Sequence, residues 1–148
     1  FETVFARLRE SLSEAARQAA RLGADIALEP CVLDLVPSAK RAADLLEQVG
    51  SSHLKILLDP ANLIANNTLE EMFDHLAPSI AYFHGKDRRV NDAYGRVLGE
   101  GDIDWPRFFR LYHRHAEGFP FILEYVQPPQ AGAIRDRVLR FDAAAAGG

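Results

Sequence analysis

The chain has 148 residues, of which 48% are hydrophobic and 26% are charged, and its formal net charge is -4 at pH 7. This composition is typical of a globular domain, and the mild acidity gives no reason to expect a nucleic-acid or membrane partner. Cys31 is the only cysteine, which excludes an intrachain disulfide, and no apolar run approaches the roughly 20 residues of a membrane span. We therefore expect a cytoplasmic protein in a reducing compartment.

The first predicted element is a helix that ends at Gly23. Apolar residues recur at helical spacing along this segment, namely Val4, Phe5, Leu8, Leu12, Ala15, Ala19 and Leu22. The chain opens on Phe1 and on this helix rather than on a strand, and its only methionine is Met72. From these features we expect that a further segment precedes residue 1.

Four short apolar runs predict buried strands, and each run is followed by a polar side chain. The runs and their endings are Ile26–Leu28 with Glu29, Ile56–Leu58 with Asp59, Ile80–Phe83 with His84, and Phe121–Leu123 with Glu124. Short apolar runs bounded by polar or turn-forming residues suit a parallel sheet that is covered on both faces. A charged group that closes such a strand is costly to bury unless it is paired or binds a metal.

Strand alternation places all four polar endings on one face of the sheet. Residues two apart share a face, so these endings lie with Ala27, Leu57, Tyr82 and Ile122. The other face is wholly apolar, as expected if it packs against helices. We therefore expect the four endings to point inward and to converge at the carboxyl end of a parallel barrel. A single glutamate at a strand end is more often solvated or salt-bridged, so the interpretation depends on all four together.

Helical segments alternate with the predicted strands. After Pro30 and Pro37, a helix is predicted from Ser38, its N-cap, to Val49, with Gly50 at its end. Thr68 is expected to cap the next helix, which Pro78 ends and whose apolar stripe consists of Leu69, Met72, Phe73 and Leu76.

Two further helices follow in the second half of the chain. A long glycine-containing loop after His84 runs to Asp104, and Pro106 suits the first turn of the helix that begins there. A last helix is predicted over about Ile134–Phe141, and residues 143–148 are expected to fray. The alternation of strand and helix predicts an α/β fold, a parallel (β/α) barrel. A complete barrel of eight strands typically needs about 250 residues, so residues 1–148 should form about half of one barrel domain.

Five segments of the chain resemble the xylose isomerase-like sugar isomerase/epimerase family of TIM barrels. They are Leu28-Glu29-Pro30, Leu58-Asp59-Pro60-Ala61-Asn62-Leu63, His84-Gly85-Lys86-Asp87, Leu98-Gly99-Glu100-Gly101-Asp102-Ile103-Asp104-Trp105 and Leu123-Glu124. Relatives in that family include tagatose-type ketose 3-epimerases, hydroxypyruvate isomerase and inosose dehydratase. The resemblance covers nearly the whole chain and implies the second, C-terminal half of the barrel, strands five to eight, with the N-terminal half absent from this chain.

The resemblance implies a metal site and an acid/base pair. Family members hold one divalent cation, often manganese, and the matching positions are Glu29, Asp59, His84 and Glu124. Three carboxylates and an imidazole suit Mn²⁺ first, with Mg²⁺, Co²⁺ or Zn²⁺ as alternatives. In the epimerases the two glutamates, here Glu29 and Glu124, also move a proton next to a carbonyl through an enediolate, while the cation acts as a Lewis acid.

The chain departs from the family pattern at Asn62, where many relatives have a histidine. An amide can hydrogen-bond a substrate hydroxyl but cannot shuttle protons near neutral pH. The substrate-binding arginine of some epimerases has two candidates here, Arg88 and Arg89. Lys86 is a further candidate for substrate binding, although Lys86 and Asp87 also fit an exposed ion pair in a turn.

Three other polar or aromatic residues near the predicted site favour structural roles. Glu100 fits a loop residue, Cys31 fits a small packing thiol, and Trp105 fits a plug at the start of its helix, although an aromatic ring there could also line a sugar pocket.

The function that the resemblance implies is a metal-dependent isomerase or epimerase acting on a small sugar, polyol or hydroxy-carbonyl compound. The alternatives are a lyase of the same superfamily, similar to inosose dehydratase, and a non-catalytic barrel fragment. A half-barrel leaves unpaired strand edges and uncovered apolar surface, so we expect an oligomer or a requirement for the missing N-terminal half.

Overall fold

The computed structural model describes residues 2–147, which form a four-stranded parallel sheet with helices between the strands. The strands are β1 (Ile26–Leu28), β2 (Leu54–Leu58), β3 (Ile80–Gly85) and β4 (Phe121–Leu123), paired in chain order β1-β2-β3-β4. All four predicted strands are present, and all three pairings are parallel, which confirms the parallel α/β class.

The helices lie where the sequence pattern predicts them, with one addition. They are α1 (Glu2–Arg21), α2 (Ala39–Val49), α3 (Pro60–Leu63), α4 (Leu69–Leu76), α5 (Trp105–His115) and α6 (Ala131–Ala146), with short 3₁₀ turns at Ala77–Ser79 and Pro128–Gln130. The addition is α3, a single turn that begins directly after Asp59.

The helix boundaries follow from local capping chemistry. Ser38 accepts a hydrogen bond from the Arg41 amide at the start of α2, and Gly50 ends that helix in the left-handed conformation at φ 63°. Thr68 and Glu71 form a reciprocal capping box on α4, and Asp104 caps α5 by accepting from the Arg107 amide.

The hydrophobic core lies between one face of the sheet and the helices. Ile56, Leu58 and Phe83 are fully buried on this face. The Phe83 ring contacts Phe73 and Phe108, with ring centroids 6.0 and 5.6 Å away. Burial of each such side chain stabilises the fold by about 1.5–3 kcal/mol, so this layer holds the sheet in place beneath the candidate site.

A register shift between β2 and β3 changes which residues of β3 face the helices. Ile56 pairs with Ile80, but the next residue, Leu57, pairs with Tyr82. Ile80 therefore joins Ile56 in the core, and the alternation expected along β3 holds only from Tyr82 onward.

Three sequence expectations about burial and order are wrong. The tail expected to fray from residue 143 is helical to Ala146, because Ala145 is buried against the core. Val4 and Leu22, counted in the apolar stripe of the first helix, are 50% and 81% exposed. Leu57, on the inner face of the sheet that half a barrel was expected to leave uncovered, is only 5% exposed.

The sheet is open within the part of the chain that the structure describes. β1 and β4 each pair with one neighbour, so each leaves an edge of unpaired backbone groups. Ile122, on the face opposite the helices, is 48% exposed. No helix in residues 2–147 is both long and apolar enough to span a membrane.

Candidate metal and acid/base site

The four strand endings meet at the carboxyl end of the sheet. Glu29, Asp59 and Glu124 each follow the last residue of a strand, and His84 is the penultimate residue of β3. One ligand atom from each of these residues lies within 4.8 Å of those of the other three. His84 Nδ1 is 3.4 Å from both Glu29 Oε1 and Glu124 Oε1. We call these four residues the carboxylate–histidine cluster.

A buried ring nitrogen and the donor set of the cluster point to a bound cation. Within residues 2–147, His84 Nδ1 is buried and has no hydrogen-bond partner, and Asp59 Oδ2 is buried with the Lys86 ammonium 2.6 Å away. Buried polar atoms without hydrogen bonds are uncommon, and an unseen ion is one of their ordinary explanations. Three carboxylates and an imidazole form a donor set suited to Mn²⁺, Mg²⁺ or Zn²⁺. The residues present therefore fit a divalent cation.

Asp59 is held in place by the helix that follows it. Its Oδ1 accepts a hydrogen bond from the Ala61 amide at 2.9 Å, as the N-cap of α3. The side chain is fully buried. Burial raises the pKa of Asp59 to about 6, although the nearby Lys86 ammonium acts in the opposite direction. The short helix thus orients Asp59 Oδ2 toward the cluster, in a buried environment that disfavours the ionised form of the carboxyl group.

This pKa shift predicts how stability depends on pH without added cation. Because the folded-state pKa of Asp59, about 6, exceeds its model value of 3.8, the folded protein binds more protons in this interval. The free energy of unfolding should therefore fall as pH rises from about 4 to about 6, by roughly 2–3 kcal/mol from this group. Urea titrations in a chelating buffer, compared with Asp59→Asn, measure this difference. Parallel pH profiles of the two proteins would contradict the prediction.

Asn62 has a partner that the sequence did not reveal. Its side-chain amide, nearly buried, donates a hydrogen bond to Glu29 Oε1 at 2.9 Å. The Asn62 carbonyl also accepts from the Val32 amide in the loop after β1. Asn62 therefore orients Glu29 and joins the ends of β1 and β2, and its expected role in binding substrate remains a proposal.

Lys86 lies within the cluster rather than in an exposed turn. Its Nζ is 2.6 Å from Asp59 Oδ2 and 2.8 Å from Glu124 Oε2, and it is 3.9 Å from Glu29 Oε1. Burial lowers the pKa of the Lys86 ammonium, but attraction to Asp59 and Glu124 outweighs burial and raises it above its ordinary value. The alternative that Lys86 and Asp87 form an exposed ion pair in a turn is therefore wrong.

Asp87 anchors the long loop between β3 and α5. Its buried carboxylate accepts hydrogen bonds from the Gly99 amide at 2.9 Å, the Ile103 amide at 3.3 Å and Trp105 Nε1 at 2.8 Å. It also accepts from the Arg88 amide, and a Cβ on Gly101 would lie 2.2 Å from its Oδ1. The Gly99–Trp105 segment is thus built around one carboxylate, and Trp105 plugs the start of α5 as expected.

The two candidate substrate arginines differ in their surroundings. Arg88 is buried and donates to the Ala93 carbonyl at 3.4 Å, while Arg89 is exposed. In the described residues, neither arginine forms an ion pair with the cluster, so their substrate role remains a proposal. Glu100 is exposed and lies 3.7 Å from Arg137, which agrees with a loop residue.

Tyr125 is a feature of the site that the sequence analysis missed. It follows Glu124 and has a φ of 59°, a conformation that is uncommon for residues other than glycine. Its ring lies 5.8 Å from Lys86 Nζ and would be 2.6 Å from a Cβ on Gly95. Backbone strain of this kind is common at functional sites. No pattern in the sequence indicated that Tyr125 adopts this conformation.

Cys31 lies beside the site in a small, mainly apolar cavity. The cavity has a volume of about 250 Å³ and is lined in part by Glu29, Leu8 and Val36. The thiol is partly buried. This position agrees with a packing role.

The family comparison matches the chain over nearly its whole length. A family model described as xylose isomerase-like TIM barrel matches residues 1–142. No curated protein sequence matches the chain closely enough to be counted as a relative.

Solved structures of similar fold include an epimerase-like protein and a protein with a bound zinc atom. A xylose isomerase domain protein from Planctomyces limnophilus has a TM-score of 0.80 at 21% identity, with 97% of this chain and 54% of that chain covered. A D-tagatose 3-epimerase-like protein has a TM-score of 0.82 at 16% identity, covering 97% and 56%. The IOLI protein with a bound zinc atom has a TM-score of 0.70 at 17% identity, covering 93% and 53%.

The TM-scores establish the fold, and because all three identities are below 25% they establish nothing beyond the fold. The wider set of matched structures includes further sugar 3-epimerases and a probable dehydratase. The chain spans little more than half the length of each matched structure named above.

Proposed function

We propose that this chain, which belongs to the xylose isomerase-like TIM barrel family, provides the metal-binding and acid/base half of a sugar isomerase or epimerase. The observation that supports this most strongly is the convergence of Glu29, Asp59, His84 and Glu124 to within 4.8 Å. The D-tagatose 3-epimerase-like fold of a matched structure supports a small keto-sugar, polyol or hydroxy-carbonyl substrate.

The cluster would hold one divalent cation through these four residues, with Mn²⁺ as the first candidate. When bound, such a cation supplies Lewis-acid polarisation of a substrate carbonyl. The buried His84 Nδ1, which has no hydrogen-bond partner, supports this assignment, as does the zinc atom in the IOLI structure.

Glu29 and Glu124 are the proposed acid/base pair. They come from the two edge strands, on opposite sides of His84, and their side chains are 35% and 32% exposed. Each carboxylate can therefore be reached from the open end of the sheet. One would remove the proton next to the carbonyl and the other would return a proton, with an enediolate between the two steps. Asn62 would keep Glu29 oriented through its hydrogen bond to Oε1.

Deuterium exchange tests this function directly. The chain would be incubated with Mn²⁺ and a panel of keto-sugars in deuterated buffer, and mass spectrometry would follow incorporation next to the carbonyl. We expect exchange that requires both protein and cation. A chain that binds the cation but exchanges no proton of any sugar would instead support the non-catalytic fragment.

A second candidate is a lyase of the same superfamily, favoured by the probable dehydratase among the structures of similar fold. Both reactions begin by removing a proton next to a carbonyl. Loss of water from the substrate, detected as a mass decrease of the product, distinguishes the lyase from the isomerase.

We further propose that residues 1–148 are the second half of a barrel and that another four strands complete it. Support comes from the two open edges of the sheet and from similar structures of which the chain covers between 52% and 59%. The complement would be a preceding segment of the same polypeptide or another chain.

This proposal predicts that the 148-residue chain associates in solution. The inner face of the sheet exposes Ile122, and Tyr125 beside it is 56% exposed. Analytical ultracentrifugation should give a mass above the 16.5 kDa of one chain. Ile122→Asp should lower that mass, whereas Leu139→Asp, an equally exposed site on α6, should not. A monomer that unfolds cooperatively and shows cation-dependent exchange would contradict the prediction.

A further inference from the structure

Lys86 reaches the cluster because of its place at the end of β3. It lies two residues after His84, so the alternation of the strand places both side chains on the inner face. Gly85 between them has no side chain, and a Cβ there would lie 2.3 Å from the Phe121 ring. Glycine thus lets β3 approach β4 closely, and Lys86 can span to Glu124 on the neighbouring strand.

The Lys86 ammonium bridges carboxylates from two different strands. It lies 2.6 Å from Asp59 Oδ2 and 2.8 Å from Glu124 Oε2, and its side chain is only 10% exposed. The two oxygens of Glu124 contact different residues: Oε1 lies 3.4 Å from His84 Nδ1, and Oε2 lies beside Lys86 Nζ. Lys86 therefore contacts the same carboxylates that would bind a cation.

We propose that Lys86 is the internal counter-ion of the cluster: it holds the carboxylates together and limits how tightly the site binds a divalent cation. This inference rests on the proposed cation site. Counted by formal charge, three carboxylates and one ammonium leave two net negative charges, which one divalent cation balances. Without Lys86 the same site has three, so attraction for the cation increases while repulsion among the carboxylates also increases.

Two measurable consequences follow from this role. Replacing Lys86 by methionine, which keeps the length of the side chain but removes its charge, should raise the affinity for Mn²⁺ by about tenfold or more. The same variant should be less stable than the native chain in a chelating buffer. Added Mn²⁺ should then raise its melting temperature by more than it raises that of the native chain, since tighter binding to the folded state gives larger stabilisation.

The experiment measures free Mn²⁺ by electron paramagnetic resonance at pH 8. Four proteins are compared: the native chain, Lys86→Met, Lys86→Gln and the control Lys40→Met. Lys40 is exposed on α2 and pairs with Asp44, so Lys40→Met removes one charge without touching the cluster. If Lys86→Met folds poorly, Lys86→Gln and the melting temperatures with Mn²⁺ provide the same comparison.

The outcomes separate this inference from the proposed function. Tighter binding by both Lys86 variants, with Lys40→Met unchanged, supports the counter-ion role. Native binding with equal or weaker binding by the Lys86 variants overturns the inference and leaves the proposed cation site intact. Binding by Lys86→Met but not by the native chain supports the inference and contradicts cation-dependent function of the native chain. Failure of every protein to bind Mn²⁺ overturns both.

Discussion

Glu124→Gln and Glu29→Gln should each lower cation-dependent proton exchange at the substrate carbon by about 10³-fold or more. An amide cannot accept the proton that either carboxylate is proposed to move, and each change also removes a charged ligand from the cluster. Mass spectrometry of deuterium incorporation measures the rate. Mn²⁺ binding to each variant is measured in parallel. This measurement separates weaker cation binding from the loss of the carboxylate that accepts the proton.

Two comparison variants sharpen this result. Asn62→Ala removes the hydrogen bond to Glu29 at 2.9 Å but keeps all four ligands, so its exchange rate should fall less than in either glutamine variant. Glu47→Gln changes an exposed residue of α2 and should leave exchange unchanged. Full exchange in Glu124→Gln with bound cation would remove Glu124 from the acid/base pair and leave it, at most, a ligand.

Asp87→Ala should destabilise the fold by about 3–5 kcal/mol, because it leaves several buried donors without an acceptor. The carboxylate is fully buried and accepts from Arg88, Gly99, Ile103 and Trp105, all of which would lose their partner. Urea unfolding measures the loss. Amide hydrogen exchange should also show faster exchange at Gly99 and Ile103, because the loop before α5 is released.

The matched control is Asp44→Ala, which removes an exposed carboxylate paired with Lys40 and should cost less than 1 kcal/mol. The destabilisation by Asp87→Asn should lie between those of Asp87→Ala and Asp44→Ala. The asparagine amide keeps one accepting oxygen, but its NH₂ group would face N–H donors of the loop. A change below 1 kcal/mol in Asp87→Ala would show that the loop does not depend on this carboxylate.

Most of the fold was predictable because it depends on local chemistry. The strands follow from short apolar runs, and the caps at Ser38 and Thr68 follow from side chains that bond the first turn of a helix. The four polar strand endings were also predictable as a group, since parallel strands bring their carboxyl ends to one edge and alternation gives the endings a common face.

The partners of the polar residues were not predictable from local patterns. The sequence did not indicate that Lys86 reaches Asp59 and Glu124, because that contact depends on the close approach of β3 and β4 at Gly85. The four bonds to Asp87 join residues up to 18 positions apart through a loop without periodic structure. The wrong expectation of a frayed C-terminus has the same origin. Ala145 is ordered by packing against the core, and the residues around it in the sequence do not indicate that contact.

The sequence by itself determined the elements, their order, and the set Glu29, Asp59, His84 and Glu124, because hydrophobic periodicity and strand parity act over a few residues. Only the tertiary structure decided how that set is held: Asn62 on Glu29, Lys86 between Asp59 and Glu124, and α3 beneath Asp59. These contacts join residues far apart in sequence, so their geometry depends on how the strands pack against each other and against the helices.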